Sequence, residues 1–183
     1  MISLLLILLP LLTGLAAFFI KDEKLARTWA VLASFATLTI AILSLCCMND
    51  TKSLNYHCEW LPSLGASFSL KMDGVAQLLC LLNTIAYPLV FIAGWDKTYK
   101  NAKNFFALML LAQAGIMGVF LAADALLFYF FWELALIPMY FLCSQWGGEK
   151  RVAVTFKFFI YTFIGSLLML ISILYLYGQT PDH

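Results

Sequence analysis

The sequence predicts an all-α polytopic membrane protein, with one membrane domain over residues 1–183. Hydrophobic residues make up 63% of the chain, whereas soluble domains are about half apolar. Charged residues make up only 11%, against roughly a quarter in soluble domains. The apolar residues form segments of about 20 residues, the length of a helix that crosses about 30 Å of hydrocarbon. These segments lack the alternation of barrel strands, so helices are the expected spanning structure.

Six such segments are predicted to be transmembrane helices. In chain order they cover residues 2–20, 28–48, 75–95, 105–123, 125–146 and 152–177. The first segment is expected to be retained rather than removed as a signal peptide, because Met1-Ile2-Ser3 has no basic residue and no small-residue cleavage site follows.

The basic residues predict the orientation of the helices. Eight Lys and Arg residues fall in the first, third and fifth connections, and only two fall in the second. Cytoplasmic loops carry an excess of Lys and Arg, so both termini should lie on the non-cytoplasmic side. The eight are Lys21, Lys24, Arg27, Lys97, Lys100, Lys103, Lys150 and Arg151, and the two are Lys52 and Lys71. The net charge of +1 and the lack of a basic patch give no indication of nucleic-acid binding.

The long second connection, residues 49–73, is predicted to be a partly extended loop with turn residues rather than a domain. Asp73 precedes the third helix and is placed to cap its N-terminus. Asp124 is similarly placed before the fifth helix, after a very short link. Such a link should fold helices four and five into an antiparallel hairpin.

Small residues in helix four, including Gly115 and Gly118, should let neighbouring helices approach closely. Gln113 in the same helix and Asn83 in helix three are polar residues within otherwise apolar segments. Each could line a hydrated path, but an interhelical hydrogen bond is the favoured interpretation.

Cysteine and histidine spacing predicts no redox centre and no metal site in this chain. No C-x-x-C pair is present, and the cysteines are interpreted as small packing residues. His57 and His183 lie outside the helices, which argues against a haem held by two membrane histidines. No Gly-rich phosphate loop or dinucleotide fingerprint is present. The five cysteines are Cys46, Cys47, Cys58, Cys80 and Cys143.

Glu133 is the main candidate for a functional residue. It lies in the apolar segment 126–141, about nine residues from the predicted outer end of helix five, and is therefore roughly 13 Å deep. A carboxylate at mid-membrane costs about 3 kcal/mol on insertion scales, so such residues usually face a polar interior and serve a function. The alternative is a glutamate hydrogen-bonded for packing alone. Pro138, five residues later, is predicted to kink the helix beside Leu134 and make room for water.

Lys157, near the inner end of helix six, is a second candidate. Its long side chain could reach the cytoplasmic interface, or it could act as a relay for protons. Folding helices five and six about Gly148 and Glu149 places Lys157 opposite Phe141, about 12 Å along the axis from Glu133. We therefore expect no direct ion pair. The cation that pairs with Glu133 is expected on another helix, outside this sequence.

Proton transfer is the chemistry that this arrangement favours. A buried carboxylic acid holds its proton more tightly when no cation is near, and less tightly when one approaches. Movement of a lysine toward or away from Glu133 would therefore switch it between holding and releasing a proton.

The segment FYFFWELALIPMY, residues 128–140, resembles the fifth helix of the M subunit of bacterial respiratory complex I. Residues 145–148 (QWGG), 157–162 (KFFIYT) and 165–166 (GS) resemble the next turn and helix of that subunit. The stretch from Trp60 to Gly74 and the residues from Gly118 to Asp124 also match its pattern. Mitochondrial subunit 4 and the D subunit of multisubunit sodium/proton antiporters share the broader family.

The resemblance implies that Glu133 is the buried acid of an antiporter-like proton channel. In that family the acid works with a lysine on helix seven, and a relay continues to a glutamate on helix twelve of about fourteen helices, which include two inverted repeats. The chain is then the N-terminal portion of such a subunit, incomplete relative to the family.

The function implied is that of a proton-translocating subunit of NADH:quinone oxidoreductase in a bacterial inner membrane. NADH, flavin, iron–sulfur clusters and quinone are expected on partner subunits, and other membrane subunits, especially antiporter-like ones, are the expected neighbours. The alternatives are a subunit of a multisubunit sodium/proton antiporter and a truncated, non-transporting scaffold. Sodium or proton as the transported ion stays open at this point.

Overall fold

The computed structural model describes residues 1–46, 54–61, 66–95, 97 and 99–179. Within them the chain forms six helices and one two-stranded antiparallel sheet. In chain order the elements are α1 (Ile2–Ala17), α2 (Glu23–Cys46), β1 (Tyr56–Leu61), β2 (Ala66–Leu70), α3 (Gly74–Ala93), α4 (Ala102–Leu121), α5 (Ala125–Trp146) and α6 (Arg151–Gln179).

The predicted fold class is confirmed, and five of the described helices, α2 to α6, are long and apolar enough to cross a membrane. The prediction for the first helix was wrong at its end. Helix α1 ends at Ala17 instead of residue 20, and its 16 residues span about 24 Å. The peptide groups of residues 18–20 instead donate to carbonyls three residues back, which forms a tighter turn before Lys21.

Helix α2 begins at Glu23, five residues before the predicted start at residue 28. Hydropathy does not detect this first turn, because it contains the charged residues Glu23, Lys24 and Arg27. The predicted end of α2 at residue 48 lies outside the described residues, which stop at Cys46 in this part of the chain. Helices α3 to α6 begin and end within three residues of the predicted bounds.

The predicted extended connection is confirmed as a β-hairpin, whose turn lies outside the described residues. Tyr56 pairs with Leu70 at the open end of the hairpin, and Leu70 also forms a bridge with Ala122. The Lys71 amide donates to the Leu121 carbonyl at 2.8 Å, and the Ala123 amide donates to the Ser69 carbonyl at 2.9 Å. The hairpin is thereby fastened to the short link between α4 and α5.

Both predicted N-caps are confirmed. The Asp73 carboxylate accepts a hydrogen bond from the Ala76 amide at 2.8 Å at the start of α3. The Asp124 carboxylate accepts from the amides of Leu126 and Leu127 at the start of α5. It also accepts from the Ser67 amide of β2 at 3.2 Å, so one side chain fixes both the helix start and the hairpin.

The packing interpretation of the cysteines is confirmed for Cys80, which is buried in the core on α3. It is wrong for Cys58, which is exposed on β1 because that face of the hairpin is not covered by a helix. Cys143 is half-buried on α5, and Cys47 lies outside the described residues.

Two buried apolar clusters lie toward opposite ends of helices α1 to α4, and one of them also includes residues of the hairpin and of α5. The cluster on the predicted outer side includes Leu6, Cys80 and Met117, and the other includes Phe91 and Phe106. Helix α5 packs along α4, and α6 contacts the rest mainly through α5. Most side chains of α6 are exposed.

Arg27 joins the first turn of α2 to the connection between α3 and α4. Its guanidinium donates to the carbonyl oxygens of Trp95 and Lys97 and lies 5.6 Å from the centre of the Trp95 ring. The planar guanidinium can serve two carbonyls and an aromatic ring at once, whereas an ammonium cannot reproduce that fork.

We therefore expect Arg27→Lys to lower the free energy of unfolding by about 1–2 kcal/mol, since charge-assisted hydrogen bonds are lost while the charge is kept. Thermal unfolding of the purified full-length protein in detergent measures the effect. Arg151→Lys is the matched control, because the Arg151 side chain is exposed at the start of α6. Equal unfolding temperatures for the two variants would contradict this role of Arg27.

Candidate proton-transfer site

Glu133 lies on α5, eight residues after its first residue Ala125 and therefore about 12 Å along the helix. Its side chain is half-buried, and the Oε1 atom is buried with no hydrogen-bond partner among the described residues. A buried carboxylate oxygen without a donor is costly, and a proton or an incoming hydrogen-bond donor at this oxygen would reduce that cost.

The opposite face of α5 is fixed against α4 by two glycines. A Cβ atom on Gly115 would approach the Cα atom of Ala135 at 2.8 Å, and one on Gly118 would overlap the ring of Phe131. The predicted contact face of Gly115 and Gly118 is therefore confirmed. Phe131 and Ala135 each lie two residues from Glu133, or about 200° around the helix. Close packing on one side of α5 thus directs Glu133 away from α4.

Tyr129 lies one helical turn before Glu133 on the same face of α5. Its hydroxyl interacts electrostatically with the Glu133 carboxylate. Sequence reasoning missed this residue, although its spacing of four from Glu133 in a helix was a signal that could have found it.

The register of α5 and α6 is fixed by a contact between the rings of Tyr140 and Phe159, whose centres are 5.2 Å apart. This agrees within one residue with the pairing predicted from the turn at Gly148. Counting seven residues back on α5 and seven forward on α6 brings Glu133 level with Ser166, which is buried. Ser166 was missed because its proximity depends on the register between two helices.

Lys157 is exposed on α6, nine residues from the level of Ser166 and hence about 13 Å along the axis from Glu133. The structure therefore keeps the two predicted site residues apart. This agrees with the separation expected from the sequence. At six residues from the start of α6, Lys157 lies near the end that is predicted to face the cytoplasm.

Pro138 is buried within α5, and the helix continues through it from Ala125 to Trp146. Its ring nitrogen cannot donate to the Leu134 carbonyl, so the backbone beside Glu133 lacks one helical hydrogen bond. The bend expected there stays a prediction.

An apolar groove of about 270 Å³ lies between α4, α5 and α6 on one side of Glu133. Trp132, Leu136 and Met139 of α5 and Phe158 and Thr162 of α6 are among its lining residues. The other side of the Glu133 face is open, with about half of the Ile137 side chain exposed. A polar partner for Glu133 from outside the described residues would therefore approach from the Ile137 side.

Comparison with known families gives one match, to the family described as NADH:quinone oxidoreductase/Mrp antiporter, TM, over residues 122–182. The F(420)H(2) dehydrogenase subunit M of Methanosarcina mazei is 39% identical over 172 residues, which cover 92% of this chain and 35% of the relative. The NADH-quinone oxidoreductase subunit M of Buchnera aphidicola is 32% identical and is matched over 38% of its length. The chain thus spans about a third of the length of these curated relatives.

Among solved structures, respiratory complex I from Thermus thermophilus with bound NADH matches 95% of this chain and 35% of the chain compared. The TM-score is 0.84 at 26% sequence identity. The Mrp complex from Dietzia sp. DQ12-45-1b matches with a TM-score of 0.70 at 18% identity, over 19% of the chain compared. At that identity the likeness to the Mrp complex concerns the fold alone.

The helical fold of this chain is therefore a fold found in respiratory complex I. The chain is similar to membrane subunits of quinone oxidoreductases that are named subunit M or chain 4, and its residues 122–182 match the family model shared with Mrp antiporters. The resemblance found from residues 128–140 and their neighbours is thereby confirmed.

Proposed function

We propose that this chain is part of a proton-translocating membrane subunit of a complex I-type quinone oxidoreductase, with Glu133 as the group that binds and releases the proton. The observation that carries the proposal is the position of Glu133. Its carboxylate lies about 12 Å into α5, on the face that α4 leaves free, and one oxygen is buried without a hydrogen-bond partner among the described residues. Intramembrane acids in such positions mark ion pathways.

Four residues of this chain would take part in proton transfer. Glu133 holds the proton, and Tyr129 would donate a hydrogen bond that stabilises the ionised carboxylate after release. A cation from a helix outside the described residues would approach on the Ile137 side and favour release. Pro138 leaves the Leu134 carbonyl free to accept from a water molecule near the acid. Lys157 would relay protons between the predicted cytoplasmic side and this path.

The redox reaction would take place on partner subunits. Among the described residues, no three His, Cys, Asp or Glu side chains are grouped to hold a metal ion, so we assign the iron–sulfur clusters, flavin and quinone chemistry to partners. NADH is the expected electron donor, and the relative from Methanosarcina mazei is named for a different donor, F(420)H(2). The donor would be determined by the partner subunits, not by this chain. Neighbouring antiporter-like subunits would contact it in a bacterial inner membrane, with both termini of this chain on the non-cytoplasmic side.

Identifying the proteins that co-purify with this chain tests the proposal directly. We expect the tagged full-length gene product, purified from its native membrane in mild detergent, to carry flavin and iron–sulfur subunits and quinone reductase activity. Inverted membrane vesicles should acidify when the electron donor is added, and deletion of the gene should abolish this acidification. Co-purification with antiporter subunits, and cation-driven proton exchange without a redox requirement, would overturn the proposal in favour of an antiporter. A stable complex that reduces quinone and acidifies vesicles equally well without this subunit would favour a scaffold.

A further inference from the structure

A second set of buried polar groups lies on the other side of α4 from Glu133. Gln113 is fully buried, and both its amide nitrogen and its amide oxygen lack a hydrogen-bond partner among the described residues. Asn83 on α3 is about nine-tenths buried, and its Nδ2 atom is also unpartnered. The direct interhelical hydrogen bond favoured for Gln113 is therefore not formed with any residue that the structure describes.

Ring contacts and hydrogen bonds fix the level of these groups in the bundle. The rings of Phe91 and Phe106 lie 5.6 Å apart. Counting seven residues from that contact along each antiparallel helix brings Thr84 level with Gln113, with Asn83 one residue away. Since Gln113 is eleven residues from the start of the 20-residue helix α4, this level is near mid-membrane.

Helix α2 contributes to the same level. The Gln77 Nε2 atom donates to the Ser44 carbonyl at 3.3 Å, which fixes the register of α3 against α2. Seven residues along each helix from that bond, Thr37 lies level with Thr84, and both are fully buried. The two apolar clusters lie above and below, so a polar layer crosses the interior of α1 to α4 between them.

One proline frees a carbonyl acceptor in this layer, and a second frees one in the outer apolar cluster. Pro88 cannot donate to the carbonyl of Thr84, and Pro10 of α1 cannot donate to the carbonyl of Leu6. Thr84 and Leu6 are both fully buried. The Thr84 carbonyl therefore lies without its helical donor at the level where the Gln113 amide lies without an acceptor.

We propose that Gln113, Asn83 and the Thr84 carbonyl bind ordered water in the interior of α1 to α4. Unsatisfied buried amides are costly, and internal water typically makes about three hydrogen bonds to groups of this kind. The layer offers amide donors and carbonyl acceptors and includes no carboxylate, so a neutral ligand fits it better than a cation.

This hydration site is separate from the Glu133 site. Gln113 precedes Gly115 by two residues, or about 200° around α4, and Gly115 faces α5. The side chain of Gln113 therefore points into the α1 to α4 interior, with the α4 backbone between it and α5. The proposal rests on the geometry of this bundle and does not depend on proton transport.

High-resolution cryo-electron microscopy of the intact complex tests the proposal. We expect water density within hydrogen-bond distance of the Gln113 amide and of Asn83 Nδ2 or the Thr84 carbonyl. Gln113→Leu should remove this density. Gln77→Leu is the matched control, because the Gln77 amide donates directly to a protein carbonyl and its loss should leave the water in place.

The wild-type map alone can refute the proposal, even if the variant does not fold. A direct hydrogen bond from the Gln113 amide to a protein group, with no water density around it, would overturn the assignment. Water density that persists unchanged in Gln113→Leu would also overturn it, since Gln113 would then not be a ligand.

Discussion

Replacing Glu133 with glutamine in the full-length subunit should reduce redox-driven proton transport on the order of 100-fold, the scale of losing a positioned acid–base group. Glutamine keeps the shape and hydrogen-bonding capacity of the side chain but cannot bind and release a proton. Assembly should be preserved, because the face of α5 that packs on α4 is formed by Phe131 and Ala135 and not by Glu133. Acidification of inverted vesicles on addition of the electron donor measures the effect.

Glu149→Gln is the matched control, since it makes the same change of charge at an exposed residue in the turn between α5 and α6. It should transport protons at the wild-type rate. Unchanged acidification in Glu133→Gln, with normal assembly, would rule out Glu133 as the proton carrier and would favour the interpretation of this residue as a packing element.

Gly115→Ala should destabilise the protein by about 1–3 kcal/mol, the usual cost of inserting atoms into a closely packed contact. The added Cβ atom would lie 2.8 Å from the Cα and Cβ atoms of Ala135. A contact with backbone cannot be relieved by a change of rotamer, so α5 itself must move away from α4. Because α5 carries Glu133, we also expect slower proton transport in this variant.

Gly165→Ala is a control variant that should change stability in the opposite direction. A Cβ atom at Gly165 on α6 would meet nothing within 4 Å, so the better helix propensity of alanine should stabilise that helix by up to about 1 kcal/mol. Thermal unfolding of the two variants in detergent should therefore shift in opposite directions. A stabilised Gly115→Ala variant would show that the contact between α4 and α5 is looser than described.

The helices could be predicted from the sequence because the requirement to cross the membrane fixes both their length and their polarity. The errors occur where that requirement does not act. The first turn of α2 contains Glu23, Lys24 and Arg27, and the end of α1 changes to a tighter turn at Phe18. The β-hairpin could be predicted only as an extended loop, because its register depends on contacts with Ala122 and Asp124 that are distant in the chain.

The candidate site was predictable in part for the same reason. Glu133 is conspicuous because a charge in an apolar helix is costly, and its separation from Lys157 follows from the rise of two antiparallel helices. The surroundings of the residues that sequence reasoning missed or misassigned depend on which neighbouring helix faces a given side of their own helix. Ser166 comes level with Glu133 only through the register of α6. Gln113 has no hydrogen-bond partner among the described residues, and Thr37, which lies level with it, donates to its own helix.

Redox-induced infrared difference spectroscopy of the intact complex would test the central claim most directly, because it detects the protonation of a carboxyl group during turnover. We expect a carbonyl stretching band of a protonated carboxylic acid that changes with the redox state in the wild type and in Glu149→Gln, and that is absent in Glu133→Gln. The same band, unchanged in Glu133→Gln, would assign the proton to another group and contradict the account.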